Sequence, residues 1–535
     1  MRARVLAFVL GFGLLADAAP VAALVGSLVL TAKVPGVEVW LDEQRLGEMR
    51  AGAEMLVANV PVGTHRVVAK KGARTWERAV EVLANDRTDV VIHIDVAGPA
   101  VGLTVVTEVA SRVESSYVTL PDFARFRLGA LRGLEKVLPE GTFAVAATDQ
   151  GAAITYRGPP GGGNVRVLFP PQTTRGEALR DLVFANSIAR EVSPSVDAPK
   201  LEQAMVQGAL GALDSHSSFL DRDAYQDVQV GISGTFGGVG MEVTRKDEWV
   251  RVVAPIEGTP AHRAGIQSGD VVASVDGTSA KDMPLAEAVK RLRGKPGTKV
   301  TVGIMREGWA APREFEIIRE QIQVHSVQSR DLGRGIAYLR IRQFQEKTPE
   351  DVETALAGWG KLDGLVLDLR NNPGGLLTAA VGVAEKFLDG NKLVVYTQGR
   401  IGHQNMRFNA HATKAYTGFP VVILVNQGSA SASEIVAGAL QDWGVATLVG
   451  NKTFGKGSVQ TIIPLSNGAG LRLTTARYFT PKGRSIDGSG LEPEVVVAQP
   501  PQSPDPGPAS VPAPDPQLEE ALARLKARIA APSGR

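Results

Sequence analysis

Ser431 stands in the run Asn426-Gln427-Gly428-Ser429-Ala430-Ser431-Ala432-Ser433-Glu434-Ile435, directly after the apolar stretch Val421 to Val425. Lys456 stands in Gly450-Asn451-Lys452-Thr453-Phe454-Gly455-Lys456-Gly457-Ser458-Val459-Gln460. A serine hydroxyl is a poor nucleophile until a neighbouring base takes its proton. A lysine can take it only when neutral, and burial is what depresses a lysine pKa. Lys456 lies between two glycines in a largely uncharged stretch, which suits such a base. A helix starting at Ser431 would aim unpaired N–H groups at a developing oxyanion. Taken alone, Ser431-x-x-Glu434 ahead of Ile435-Val436-Ala437 reads as a helix capping box, and Lys456 as an ordinary loop lysine. A third run, Asp363 to Gly375, reads as a buried strand ending in the tight turn Asn371-Asn372-Pro373-Gly374-Gly375, where backbone amides can face a substrate.

Other chemistries fit these residues less well. Gly450-x-x-x-x-Gly455-Lys456 is nearly a phosphate-binding loop, but Gly457 stands where the Mg²⁺-binding hydroxyl belongs. Val459 to Ile463 also reads as a strand, where a phosphate loop must open a helix. Ser431 lacks the Gly-x-Ser-x-Gly elbow, and no His-Glu-x-x-His zinc motif occurs. With no cysteine in the chain, disulfides, thiolate catalysis and cysteine–zinc sites are excluded. Fifty-eight basic against 56 acidic residues leave a net charge of +2, which gives no electrostatic reason to expect a nucleic acid. Neither a metal nor a cofactor is expected.

The elements that must position these residues form a multidomain α+β chain. Met1-Arg2-Ala3-Arg4, the apolar run Val5 to Leu15 and the small residues Ala16-Asp17-Ala18 read as a secretory signal over residues 1–18. The rival is an uncleaved membrane anchor, which would place Asp17 near mid-bilayer at a cost of roughly 3 kcal/mol. Export to the periplasm or envelope is expected in both cases. Residues 26–96 read as short strands, and residues 103–230 as mostly helical with a β insert from Phe143 to Phe169. Two stretches of that region look alike, Asp122 to Leu138 and Ala198 to Leu213, though too briefly for a repeat. Residues 231–324 have their own rhythm of strands, one helix and tight turns. In residues 325–497 strands alternate with helices, as in an α/β layer structure. Residues 498–516 are a proline-rich linker, and residues 517–535 a short charged helix with a leucine stripe, a docking or solvated helix rather than a site.

Three resemblances follow. The punctuation Pro35-Gly36, Gly47 and Pro61-Val62-Gly63-Thr64-His65 resembles the PEGA module, a small β-sandwich of bacterial envelope proteins. Phe236-Gly237-Gly238-Val239-Gly240-Met241-Glu242-Val243, Gly258-Thr259-Pro260-Ala261, Ala264 to Asp270, Val272 to Gly277 and a helix from Leu285 to Leu292 together resemble a PDZ domain. In that reading the amides of Gly238, Val239, Gly240 and Met241 converge on a peptide's terminal carboxylate, and the next strand edge pairs with its backbone. The ordered motifs from His216-Ser217-Ser218-Phe219-Leu220 through Thr475-Ala476-Arg477-Tyr478-Phe479-Thr480-Pro481 resemble the carboxyl-terminal processing, or tail-specific, proteases.

That last resemblance implies a crotonase-like α/β core with an inserted PDZ-like domain. It makes Ser431 the nucleophile, Lys456 the general base and Gln460 the residue that orients the lysine. Ala432 and a glycine of the Gly374-Gly375 turn would form the oxyanion hole. Ser215 departs from the proline usual before the histidine, which touches a turn and no catalytic role; His216 reads as structural. The partners implied are protein or peptide substrates with free C-termini. The alternative is an inactive envelope scaffold, which predicts decay of Ser431 or Lys456, and both are intact. The physiological substrate, the oligomeric state and any activating partner are left open.

Overall fold

A computed structural model describes residues 6–9, 25–32, 36–49, 54–72, 74–84, 87–92, 103–148, 151–157, 164–171, 173–411, 415–498 and 514–530. The leader expected at 1–18, apart from the strand Leu6–Val9, lies outside these residues. So does most of the proline-rich stretch 498–516. Two compact units divide the chain: Met1–Tyr225 with Gln398–Asn405 and Val459–Ala476, and Gln226–Thr397 with Met406–Ser458 and Arg477–Arg535.

In the first unit the β-rich region forms two sheets. Burial alternates along strands such as Val37–Leu41, as the period-two pleat requires. The second sheet does not stop at the end of this region. Its strand Arg74–Val82 pairs with Asn164–Phe169 of the insert, so three insert strands extend it. Buried Asp181 marks this seam, accepting from Arg127 at 2.7 Å and from Arg78 at 3.1 Å. The two look-alike stretches are the helices Phe123–Val137 and Ala198–Gly211, which pack on each other. A Cβ on Gly129 would come within 2.3 Å of the Gly208 carbonyl, so the shared glycines allow the helix backbones to touch. Asp214 takes the N–H groups of His216 and Ser217 at 2.6 and 2.7 Å, closing the turn around Ser215 without proline.

The second unit holds two sheets that matter for function. One contains the strands Met241–Lys246, Trp249–Pro255, Val271–Val275, Lys299–Met305 and Arg313–Ile318 in that spatial order, with Met241–Lys246 at its edge. The helix Leu285–Leu292 packs against that edge strand. The other sheet runs Val327–Asp331, Ile336–Ile341, Gly364–Asp368, Val421–Val425, Ala446–Gly450 and Val495–Val496. Its first pair is antiparallel and the rest are parallel. The strands Gly364–Asp368 and Val421–Val425 are buried at every position, as expected of parallel strands covered on both faces. The helices Thr348–Gly358, Leu377–Ala384 and Ala432–Asp442 connect these strands and pack on one another. The charged C-terminal helix is docked: Pro516–Ala530 buries Ala521 and Leu525 against Val366, Val422 and Leu424.

Candidate active site

Three neighbouring parallel strands end at three loops, and each loop carries candidate residues. Gly364–Asp368 leads to Gly374 and Gly375, Val421–Val425 to Ser431 and Ala432, and Ala446–Gly450 to Lys456. The carboxyl ends of parallel strands are where open α/β sheets bind ligands.

The middle loop is built by asparagines. Asn426 Oδ1 accepts the N–H groups of Asn371 and Gly428 at 2.9 and 3.0 Å, tying the first two loops together. Asn372 is fully buried; its amide donates to the Ile341 carbonyl, while its own carbonyl accepts from Ala430 N–H and the Ser433 hydroxyl. Ser431 then leaves the turn at φ 56°, ψ −113°, a conformation that a residue with a Cβ rarely adopts. Such strain persists only where the surroundings over-determine it. Here the Glu434 carboxylate accepts the Ser431 N–H at 2.8 Å, and the helix Ala432–Asp442 starts at the next residue.

Glu434 is the hub. It is fully buried, and its Oε2 accepts both Ser431 N–H and Lys456 N–H, at 2.8 and 3.0 Å. Its Oε1 accepts the Thr453 hydroxyl at 2.6 Å and Gly455 N–H at 2.8 Å. Burial pushes the carboxyl above its usual range, against the pull of these four donors. One carboxylate oxygen therefore fixes the backbones of both candidate residues. Tyr478 flanks them from the strand Gly470–Phe479. Its hydroxyl donates to the Lys456 carbonyl and lies within hydrogen-bonding reach of the Ser431 side chain. Burial, reinforced by the charge of Glu434, pushes the phenol far up, so it stays protonated.

The glycine turn closes over Ser431. A Cβ on Gly374, at φ 104°, would lie 2.8 Å from the Ser431 Cβ and 3.0 Å from the Ala432 nitrogen. One on Gly375, at φ 145°, would strike the Phe344 carbonyl at 2.1 Å. Only glycine allows this approach. The Gly374 N–H donates to Asn372 Oδ1 at 2.9 Å, and its carbonyl accepts from Phe344 N–H. Gln460 lies four residues beyond Lys456, partly buried, in the strand Ser458–Pro464.

Of the peptide-binding candidates, Gly238 ends the strand Thr235–Gly238, which pairs with Glu320–Gln323, and Val239 and Gly240 lead from it to Met241 at the edge of the five-stranded order that starts with Met241–Lys246. Val239 turns its side chain into the core, so only its backbone can face a ligand. Gly240, at φ 78°, accepts the Thr259 hydroxyl on its carbonyl at 2.7 Å. Met241 opens the edge strand, whose hydrogen-bonded neighbour is Trp249–Pro255 on one side only.

The sequence model of Peptidase family S41 matches residues 335–497, and that of the PDZ domain residues 237–317. A carboxy-terminal-processing protease of Bartonella bacilliformis is 46% identical over 310 residues, covering 57% of this chain and 71% of that protein. The chain belongs to the carboxy-terminal-processing proteases of family S41. The carboxyl-terminal-processing protease of Synechocystis sp. is 40% identical over 304 residues, covering 55% of this chain and 70% of that relative. Among solved structures, a photosystem II D1 C-terminal processing protease aligns at 27% identity and a TM-score of 0.36, covering 71% of this chain and 94% of its own. This S41 peptidase is a serine-type protease with a PDZ domain.

Sequence reading named Ser431, Lys456 and the glycine turn as candidates and took Glu434 only as a cap. Asn372, Asn426 and Tyr478 stood inside the motif runs and received no role of their own there. The asparagines were visible as a pair of amides beside the glycines; nothing local marked Tyr478.

Proposed function

We propose that this S41 peptidase cleaves proteins and peptides presented by their free C-termini, with Ser431 as nucleophile and Lys456 as general base. The observation that carries this reading is the shared Glu434 oxygen, which holds both residues at the ends of adjacent strands. Neutral Lys456 takes the Ser431 hydroxyl proton as the oxygen attacks the scissile carbonyl. The same proton passes to the departing amine, leaving an acyl group on Ser431. Water then loses a proton to Lys456 and attacks the ester, and Lys456 returns that proton to the departing Ser431 oxygen as the new C-terminus is released. Gln460 is assigned to orient the lysine amine.

The developing oxyanion is assigned to the N–H groups of Ala432 and Gly375. Ala432 is the first residue of its helix, so its N–H has no partner within the helix. The Gly374 amide is already engaged by Asn372. Phe344 bonds the Gly374 carbonyl and the Leu376 N–H, so by strand alternation the Gly375 N–H points to the other side.

Substrate selection is assigned to the amides of Gly238, Val239, Gly240 and Met241, which would receive a terminal carboxylate while the peptide adds to the open edge of Met241–Lys246. The core is read as crotonase-like, residues 26–96 as a PEGA-like module, and the chain as exported to the periplasm or envelope. Casein or a tagged peptide incubated with the wild type and with Ser431→Ala tests the central assignment. Cleavage by both proteins at equal rates would overturn it.

A further inference from the structure

The C-terminal helix has an apolar stripe that accounts for its docking, yet its first residues are polar and reach elsewhere. Asp515 accepts from Nη1 and Nη2 of Arg370 at 2.9 and 2.8 Å. On its other side Arg370 donates from Nη2 to Asp368 at 2.7 Å and from Nε at 3.0 Å. Buried Asp368 is held in turn by the Tyr338 hydroxyl at 2.7 Å. Arg370 opens the turn that ends in Gly374 and Gly375.

Gln517 is 0% exposed. Its Oε1 accepts from Arg370 at 3.2 Å, and its Nε2 donates to Asn451 Oδ1 at 3.0 Å and to the Val497 carbonyl at 2.8 Å. Asn451 opens the loop that carries Lys456, with its own N–H on the Val425 carbonyl. The sheet is covered by the apolar residues Ala521 and Leu525, with Leu518 and Leu522 packed beside them. A fully buried glutamine adds a desolvation cost that is offset only by these bonds. Both of its side-chain ends point at segments flanking Ser431.

We propose that Asp515 and Gln517 are positioning residues for the S41 reaction. The C-terminal segment is a brace in cis that holds the oxyanion turn through Arg370 and the lysine loop through Asn451. An enzyme whose brace is withdrawn binds substrate normally and turns it over slowly. The proposal rests on the assignment of Ser431, Lys456 and Gly375 given above.

The test uses the full chain, as the double variant Asp515→Ala/Gln517→Ala and as Leu525→Asp, which places a charge in the apolar seat and undocks the helix. Both are expected to lose at least about tenfold in kcat, since small misplacements of reacting groups carry costs of this size. KM for a peptide with a free C-terminus should hold, and acylation by a small fluorophosphonate, which needs Ser431, its base and the oxyanion hole but no peptide groove, should slow in parallel. Asp515→Glu, which keeps a carboxylate for Arg370, is expected to recover most of kcat, and Asp515→Asn is not. Should Leu525→Asp fail to fold by circular dichroism, the double variant decides, because it leaves the apolar seat intact. With Ser431→Ala inactive, unchanged kcat in the double variant overturns the brace alone. A loss confined to KM, or one that Asp515→Glu does not relieve, overturns it as well. An active Ser431→Ala enzyme would instead undo the nucleophile assignment beneath it.

Discussion

Glu434→Gln tests how the site is held. The carboxylate presents one oxygen to Ser431 N–H and Lys456 N–H and the other to the Thr453 hydroxyl and Gly455 N–H. Glutamine has the same shape, but whichever way it turns, its NH₂ group faces one of these pairs. Two donors then lose their acceptor. Hydrogen bonds to a charged group contribute about 1.5–3 kcal/mol each, so the loss is roughly 3–6 kcal/mol. Against this, burial pushes the Glu434 carboxyl upward, so the ionised side chain carries a desolvation cost that a neutral amide avoids. A net destabilisation of about 3 kcal/mol remains, which in a domain of this size lowers the unfolding midpoint by roughly 6–12 °C. A shift of about 1 Å in either reacting residue can cost on the order of a hundredfold in rate. Calorimetry and peptide cleavage on Glu434→Gln, with Ser431→Ala as the inactive reference of intact architecture, measure both effects. A Glu434→Gln enzyme with the wild-type midpoint and wild-type kcat would refute the hub.

Ser431→Ala should abolish cleavage while costing no more than a helix cap, about 1 kcal/mol, in chemical denaturation. Lys456→Arg should be equally inactive, because a guanidinium cannot be deprotonated in this range; cleavage by the purified variant would remove lysine as the base. A substrate with an amidated C-terminus should show a lower kcat/KM than its free-acid twin, and equal values would eliminate carboxylate capture by the PDZ domain. Burial alone would raise the Asp515 carboxyl, but its hydrogen bonds from Arg370 outweigh this and hold it below the usual range. A depressed folded-state pKa contributes stability above the unfolded value of about 3.9, and that contribution is lost as pH falls through the folded value. Hydrogen-exchange protection of residues 515–530 should therefore hold from neutrality to about pH 4 and fall below it. Asp515→Asn should flatten that acid step, and a wild-type helix that loosens well above pH 4 would contradict the reasoning.

What could be read from the sequence divides by the distance over which each interaction acts. The strand Val421–Val425 and the helix that starts after Ser431 are written in fourteen adjacent residues: an apolar run, a small-residue turn, then Glu434 three places into the helix. Local spacing gave Glu434 its capping position, and there it does accept the Ser431 N–H. Its other donors come from Thr453, Gly455 and Lys456, about twenty residues later, and no local pattern announces them. Asp515 is farther still, 145 positions from Arg370. The leucine stripe of the C-terminal helix said that one face wants cover without saying which surface supplies it. Gln517 would be placed outside by any polarity rule, yet it is buried because its partners lie on two other segments. The same logic explains why the site needs such contacts. Parallel strands align the starts of the three loops to within a strand spacing, but strand pairing stops where the loops begin. Beyond that point the placement of Ser431, Lys456 and Gly375 depends on side chains that cross from one loop to the next. Asn426 and Glu434 do this from within the core, and Asp515 and Gln517 from the end of the chain.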